Sequence, residues 1–269
     1  MNGAHVAQPP YKFLRVGVAD GIATVTLAHP EKRNALSLAT MLELLRAFEE
    51  IAVDRTARVA ILRALGPVFS AGHDLRELVF AEGEIAPDEH ARIFETCVNV
   101  MTAIQTIPQP VIAEVAGVAT AAGCQLVASC DLAIASAAAR FATPGVKIGL
   151  FCTTPMIALT RAIGRKRAME MLLTGDFIDA ATAERYGLVN HVVPAEELEA
   201  ATLELAHKIA RASASTVALG KAAFYRQIEL DQTSAYGVAK EIMTCNARDH
   251  DAQEGMSAFL ERRSPAWKQ

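Results

Sequence analysis

Alternating hydrophobic and polar residues near the start of the chain predict a β-hairpin. The segments Phe13–Val18 and Ile22–Leu27 alternate with the two-residue period of a strand, and Asp20-Gly21 lies between them. An Asp-Gly pair favours the tight turn of a two-residue hairpin. Three later apolar runs are short enough to be buried strands, and they are Val59–Leu65, Val111–Val115 and Leu132–Ala135.

Helical periodicity separates these strand segments. Ser37 is a favourable N-cap residue, and the apolar positions that follow it recur at helical spacing: Leu38, Met41, Leu42, Leu45, Phe48 and Ile51. A second long helix is predicted from Asp88 to Thr106, because Pro108 and Pro110 cannot continue it. Residues 1–10 are expected to form a loose arm, and the acidic stretch from Ala81 to Pro87 is expected to be a mobile loop.

Beyond Gly149 the hydrophobic pattern is almost entirely helical. Helices are predicted at 153–163, 165–173, 180–186, 195–211, 213–231 and 234–262, the last with a break near Asp249. One short strand is predicted over 188–193, before Pro194. Strands that alternate with helices and then give way to helices alone indicate an α/β core with a helical C-terminal region. We place the division between residues 1–205 and residues 206–269.

Composition excludes several classes of function. The chain has 269 residues, a formal net charge of −4 and 52% hydrophobic residues, so it has no excess of positive charge for nucleic acid or an anionic membrane. None of its five cysteines shows C-x-x-C spacing, which predicts buried thiols in a reducing compartment and no metal site. No targeting signal and no membrane span are evident, so a cytoplasmic location is expected if the source is bacterial.

The stretch from Pro110 to Gly149 contains an unusual turn. After the strand Val111–Val115, four small residues occupy positions 120–123, and a helix is predicted from Cys124 to Cys130. Small residues at 121–123 leave the first N–H groups of that helix accessible, and those groups carry a partial positive charge. Two interpretations remain open: a helix packed closely on a sheet, or a corner that holds a carbonyl oxygen on which negative charge develops.

Several ordered motifs resemble one known family. They are Arg33-Asn34-Ala35-Leu36-Ser37, Phe69-Ser70-Ala71-Gly72-His73-Asp74-Leu75, Pro110-Val111-Ile112-Ala113 with Gly117, Ala122-Gly123-Cys124-Gln125-Leu126 with Cys130-Asp131, and Glu254-Gly255-Met256-Ser257-Ala258-Phe259-Leu260-Glu261-Arg262. In type, order and spacing, and over nearly the whole chain, these motifs resemble the enoyl-CoA hydratase/isomerase (crotonase) superfamily. Details at 119–125 and 149–155 resemble its mitochondrial enoyl-CoA hydratase domain-containing subgroup and bacterial relatives of that subgroup.

The resemblance implies a fold, a ligand and an oligomer. The fold is a spiral of ββα turns, with C-terminal helices that build a homotrimer or a hexamer made of two trimers. The ligand is an acyl-CoA thioester, and no cofactor is required apart from the coenzyme A of the substrate. The resemblance also implies an oxyanion hole made by two main-chain N–H groups, which correspond to His73 and Ala122. Since the main chain is used, the His73 imidazole need have no chemical role.

The resemblance also assigns residues to substrate binding. Residues that accompany the two oxyanion donors along the acyl and pantetheine path are Ala71, Asp74, Leu75, Arg76 and Gly123. Basic residues are candidates to bind the CoA phosphates because lysine and arginine favour phosphate. They are Lys32 or Arg33 in the first loop and Arg262 or Arg263 near the last helix. Each of these basic residues has the alternative of being a solvated surface charge.

The chain departs from the family at both catalytic glutamates. By motif alignment the first corresponds to Gln125 and the second to Gly145, and neither residue transfers a proton near neutral pH. Cys124, Thr143 and Cys152 are candidate replacements, and a structural role is expected for Glu114. Two hypotheses follow: a crotonase-type enzyme with another proton carrier, or a non-catalytic acyl-CoA-binding protein. Replacing both Gln125 and Gly145 with glutamate tests these hypotheses. A gain of hydratase activity would show that only the proton carriers are missing.

Overall fold

The computed structural model describes residues 10–79 and 87–268. The predicted arm at 1–10 and the predicted loop from Ala81 to Pro87 lie outside the described residues, apart from the last residue of each. Within the described part, the strands are β1 (Leu14–Ala19), β2 (Ile22–Leu27), β3 (Val59–Ala64), β4 (Val68–Ser70), β5 (Val111–Val115), β6 (Val118–Thr120), β7 (Leu132–Ser136), β8 (Arg140–Ala142), β9 (Ile178–Asp179) and β10 (His191–Val193).

The helices of the same residues surround two sheets. They are α1 (Leu38–Val53), α2 (Pro87–Thr106), α3 (Ala122–Ser129), α4 (Thr153–Ala162), α5 (Arg165–Thr174), α6 (Ala180–Tyr186), α7 (Leu198–Ala210), α8 (Ala214–Gln227), α9 (Gln232–Asn246) and α10 (His250–Glu261). Ser37 caps α1 by accepting a hydrogen bond from the Thr40 N–H at 3.2 Å, as its position predicted. No helix of the described residues is long and apolar enough to cross a bilayer.

The larger sheet contains every strand that the hydrophobic pattern predicted. Its order is β1-β2-β3-β5-β7-β10, and only the β1–β2 pair is antiparallel. The predicted hairpin is confirmed, since Ala19 pairs with Ile22 and the turn residues Asp20 and Gly21 have φ of 50° and 80°. Two consecutive residues of positive φ match the twist of the adjoining strands.

A second sheet was not predicted, and it builds the spiral. It has the order β4-β6-β8-β9, with strands of only two or three residues. After β3, β5 and β7 in turn, the chain leaves the larger sheet and adds β4, β6 and β8 to this smaller one. A helix follows each of these short strands, so the ββα repeat implied by the resemblance is confirmed.

Helix α7 covers the outer face of the larger sheet. Its Ala206 is fully buried against a small apolar cluster that includes Val59 and Ile112. The predicted division at residues 205 and 206 falls inside this helix, and the division itself remains a prediction. The following helices α8–α10 carry strongly exposed apolar side chains, which are Phe224, Tyr236, Met243, Met256, Phe259 and Leu260, and Ile228 directly after α8 is also exposed.

A buried ion pair anchors α8 to the core. Lys221 is 6% exposed, and its Nζ lies 2.7 Å from Asp131 Oδ2. The same ammonium donates to the Ile104 and Gln109 carbonyl oxygens at 2.7 and 2.8 Å. Asp131 also accepts hydrogen bonds from the Tyr225 hydroxyl and from the main-chain N–H at the start of β5. Each partner therefore has its charge neutralised, which makes its burial tolerable.

Candidate active site

The loop after β4 is held in position by the first motif of the chain. Asn34 Nδ2 donates to the Leu65 and Val68 carbonyl oxygens at 2.9 and 2.7 Å. The Leu36 N–H donates to the Gly72 carbonyl at 2.8 Å, which fixes the turn that presents the next residue. Gly72 has φ of 86°, a conformation that a side chain disfavours. These contacts bring residues 71–73 against the start of α3.

The start of α3 is uncapped and strained. Its N-cap residue Ala121 has φ of 51° and ψ of −121° and offers no side-chain oxygen to the first N–H groups. A non-glycine residue held at positive φ indicates local strain, which clusters at functional sites. The helix begins at Ala122, two residues earlier than the pattern predicted, so the small residues belong to its first turn.

The two predicted oxyanion donors lie on the same cavity. A Cβ atom added to Gly72 would be 3.0 Å from the Ala122 nitrogen, so the segment carrying His73 and the start of α3 are in direct contact. Within the described part of the chain, neither the His73 nor the Ala122 N–H donates a hydrogen bond. Buried N–H groups almost always have acceptors in folded proteins. Two free N–H groups beside one cavity are arranged to receive a ligand oxygen.

We call this space the corner cavity. Its volume is about 610 Å³, and its walls come from the loops before α1 and α2, the start of α3 and the segment around α4. The residues that line it are Lys32, Ala35, Ala71, His73, Asp74, Leu75, Arg76, Phe94, Ala121, Ala122, Pro144, Gly145, Lys147, Ile148, Leu150, Phe151, Cys152, Thr153, Thr154 and Pro155. An apolar cavity with a few convergent polar groups is typical of a small-molecule site.

The His73 side chain is buried in packing contacts. Its ring makes an edge-to-face contact with Phe94, with centroids 5.4 Å apart. Both ring nitrogens are buried and form no hydrogen bond with good geometry among the described residues. Burial lowers the pKa of the His73 imidazole, and the nearby Leu36 main chain offsets part of that effect. The lowered pKa keeps the imidazole neutral at neutral pH, where it packs against Phe94 beside the corner cavity.

This burial predicts a loss of stability on acidification. In the unfolded chain the imidazole binds a proton near pH 6.5, whereas in the folded protein it does so only at lower pH. The unfolded state then binds more protons below that pH, so the free energy of unfolding falls by up to about 1.4 kcal/mol per pH unit. Urea denaturation at several pH values is expected to show a shallower dependence for His73→Gln. If the free energy of unfolding depends equally on pH in both proteins, burial of a neutral His73 imidazole is not the cause of the acid sensitivity.

Basic residues surround the corner cavity at three points. Lys32 and Arg76 line it as the sequence predicted, and Lys147, which the sequence did not predict, joins them from the segment before α4. Lys147 pairs with Asp176 at 2.7 Å. Arg76 forms a close bidentate pair with Asp74, and that guanidinium lowers the pKa of the Asp74 carboxyl.

Other predicted binding residues lie elsewhere. Arg33 and Gly123 are not among the residues that line the corner cavity. Arg263 is instead engaged by Glu254 and Glu261 at 2.6 and 2.7 Å. Gly123 has a different task, because a Cβ atom there would be 2.3 Å from the Ser70 carbonyl oxygen. It allows α3 to pack directly against β4.

The two positions of the family glutamates differ in their surroundings. Gly145 lies on the wall of the corner cavity, whereas Gln125 does not contribute to that wall. A Cβ atom on Gly145 would lie 2.0 Å from the Leu150 carbonyl oxygen and 2.8 Å from Cys152 Sγ. A glutamate at 145 would therefore displace the backbone of the following turn. For this reason the sequence-based test that places glutamate at both positions does not isolate the missing proton carriers.

The alternative proton carriers can be sorted by position. Glu114 faces α7, where its carboxylate is 3.9 Å from Arg63, and burial raises its pKa. It is thus on the opposite side of the sheet from the corner cavity. Cys124 and Thr143 are fully buried outside the cavity wall, while Cys152 is 6% exposed and lines it. Burial raises the pKa of the Cys152 thiol, so it is protonated at neutral pH.

The comparisons with known proteins agree with this fold. The family model described as enoyl-CoA hydratase/isomerase matches residues 17–269. A mouse protein named enoyl-CoA hydratase domain-containing protein 3, mitochondrial, is 51% identical over 92% of this chain and 82% of its own length. A Dictyostelium discoideum protein named probable enoyl-CoA hydratase, mitochondrial, is 35% identical over 91% of this chain and 87% of its own length.

Solved structures show the same architecture. The crystal structure of the human enoyl Coenzyme A hydratase domain-containing protein 3 superposes with a TM-score of 0.92 and 48% identity, covering 95% of this chain and 100% of that one. An enoyl-CoA hydratase from Mycobacterium smegmatis gives a TM-score of 0.91 at 48% identity, covering 95% of this chain and 98% of that one. The chain belongs to the enoyl-CoA hydratase/isomerase family, also called the crotonase family.

Proposed function

We propose that this chain is an enzyme that binds an acyl-CoA thioester in the corner cavity and stabilises the thioester enolate. The N–H groups of His73 and Ala122 would both donate to the thioester oxygen. The single observation that carries this proposal is that both N–H groups lack acceptors and adjoin one apolar cavity. Fixed donors aimed at a developing negative charge are effective because they need no reorganisation during the reaction.

Charge at the cavity walls supports a CoA ligand. Lys32, Arg76 and Lys147 come from three segments that line the corner cavity, so ammonium and guanidinium groups are available there to a phosphorylated tail. Lysine and arginine favour phosphate because they combine positive charge with several N–H donors. No cluster of three or more metal-ligating side chains is present among the described residues. The proposed chemistry therefore rests on main-chain donors.

A second candidate function has its own supporting observation. Among the described lining residues Asp74 is the only carboxylate, and its pKa is lowered by Arg76, so it holds no proton to give. Gln125 is not on the wall, and Gly145 has no side chain. These features favour a protein that binds acyl-CoA thioesters without turning them over, as a carrier or regulator.

One experiment separates the two functions. Titration calorimetry with butanoyl-CoA is expected to show binding in the micromolar range. Mass spectrometry of the same thioester in D₂O is then expected to show exchange of its α-protons. An α C–H bond breaks with its proton lost to solvent, the two N–H donors stabilise the enolate that forms, and the enolate takes a deuteron back from the solvent. Binding without exchange, and without turnover of but-2-enoyl-CoA or 3-hydroxybutanoyl-CoA, would favour the non-catalytic function. Absence of binding would overturn both.

Association into a homotrimer or a hexamer is part of the same proposal. Helices α8–α10 expose a set of large apolar side chains in the isolated chain, including Phe224, Met243 and Phe259. Large apolar side chains exposed in such number favour protein–protein contact. It supports assembly through the C-terminal helices.

A further inference from the structure

A second cavity lies behind the corner cavity, between α2, α3 and α4. Its volume is about 260 Å³. Apolar walls come from Val98 and Met101 on α2 and from Ile157 and Ala158 on α4. Val98 and Ile157 are 46% and 50% exposed, so the cavity opens to solvent on that side. A water molecule occupies about 30 Å³ of liquid, so this space is large enough for several atoms of an organic ligand. A hydrocarbon chain fits such walls better than a group of water molecules does.

One end of the second cavity carries two polar side chains, a buried hydroxyl without a partner and an amide whose N–H groups donate to none of the described residues. Ser129 is 1% exposed, lines the cavity, and its Oγ forms no hydrogen bond among the described residues. Gln125 is 4% exposed and lines the same cavity. Its only hydrogen bond within the described residues is a weak one, from Cys97 Sγ to Oε1 at 3.9 Å, so the amide N–H groups donate none. A buried hydroxyl without a partner is costly, and a ligand oxygen beside it would pair with Ser129 and could also accept from the Gln125 amide.

The second cavity is placed to receive the far end of an acyl chain. Thr154 contributes to the walls of both cavities. Helix α3 runs from one to the other, since Ala122 at its start lines the corner cavity and Ser129 at its end lines the second. Seven residues of helix span about 10 Å. A thioester oxygen at the Ala122 N–H would thus have the Ser129 hydroxyl about 10 Å further along the helix.

We propose that the second cavity selects acyl groups that carry a neutral oxygen substituent, a hydroxyl or a ketone, near the end of a medium-length chain. This inference rests on the proposed function. Gln125 then acts as a specificity residue that donates to this oxygen together with Ser129. A carboxylate is disfavoured, because Arg161, the one cation among the described lining residues, is already paired with Glu229 at 2.7 Å. No positive charge remains to balance a buried anion.

The test compares two thioesters that differ by one hydroxyl group. Titration calorimetry is carried out on the full chain with octanoyl-CoA and with ω-hydroxyoctanoyl-CoA. We expect the hydroxylated thioester to bind about tenfold more tightly, which corresponds to one or two buried hydrogen bonds. Ser129→Ala is expected to remove most of that preference, and Gln125→Leu is expected to reduce it. The quantity compared is the ratio of the two dissociation constants within each protein. A substitution that weakens binding of both thioesters equally leaves this ratio unchanged.

The control is Thr160→Ala on α4. The Thr160 hydroxyl bonds to its own helix at the Met156 carbonyl and lines neither cavity, so its removal is expected to leave the preference intact. Equal or weaker binding of the hydroxylated thioester by the unmodified protein would overturn the inference, as would a preference that survives Ser129→Ala. If butanoyl-CoA, octanoyl-CoA and ω-hydroxyoctanoyl-CoA all fail to bind, the proposed function fails instead.

Discussion

Replacing Gly123 with alanine is expected to slow α-proton exchange in a bound acyl-CoA thioester by about 10²–10³-fold. The new Cβ atom would lie 2.3 Å from the Ser70 carbonyl oxygen and 2.8 Å from its carbonyl carbon. Backbone atoms cannot yield by that distance, so the start of α3 must move away from β4. The Ala122 N–H would then no longer point at the oxygen that His73 also serves. Mass spectrometry in D₂O measures the rate.

A matched glycine provides the control. A Cβ atom on Gly17, in strand β1, meets no heavy atom within 4 Å, so Gly17→Ala is expected to keep the exchange rate of the unmodified protein. Circular dichroism of both variants shows whether the fold is retained. An exchange rate in folded Gly123→Ala that equals that of Gly17→Ala would contradict the role given to the start of α3.

Replacing Lys221 with methionine is expected to lower the free energy of unfolding by about 3–5 kcal/mol. Methionine fills a similar volume but leaves the Asp131 carboxylate without its cation in a site where its side chain is 14% exposed. The Ile104 and Gln109 carbonyl oxygens also lose their shared donor. Removal of one member of a buried ion pair is costly because the other remains charged and poorly solvated. Urea denaturation measures the change.

The surface pair between Lys147 and Asp176 is the matched comparison. Its atoms are also 2.7 Å apart, yet the two side chains are 50% and 73% exposed. Lys147→Met is therefore expected to cost less than about 1 kcal/mol. If the two variants lose similar amounts of unfolding free energy, burial does not govern the strength of the pair between Lys221 and Asp131. The pair would then not be what anchors α8 to the core.

The larger sheet could be predicted because each of its strands carries its own signal. The hairpin has an Asp-Gly turn, and Val111–Val115 is an apolar run with both faces buried. The smaller sheet could not be predicted, since a strand such as Ile178–Asp179 is too short to show a period of two. Its strands form because three successive turns of the spiral place short extended segments side by side.

Part of the candidate site could likewise be predicted from the sequence, and part of it could not. The pairing of His73 with Ala122 followed from motifs that each contain small residues at fixed positions. Local patterns could not predict three other features of the site. Lys147 lines the corner cavity, Glu114 faces α7, and Gln125 and Ser129 line the same second cavity. These residues are brought together by contacts between segments that are far apart in the chain.

The sequence by itself determined the family and the α/β alternation, and it predicted the two main-chain donors, because these depend on backbone conformations that local residue types dictate. Gly123, for example, lets the start of α3 approach β4 more closely than a Cβ atom would allow. Only the tertiary structure decided that residue 145 has no room for a glutamate and that a buried serine and glutamine face a space behind the first cavity. Such facts depend on which atoms of distant segments come into contact, and packing at close to crystal density sets those contacts to within a fraction of an ångström.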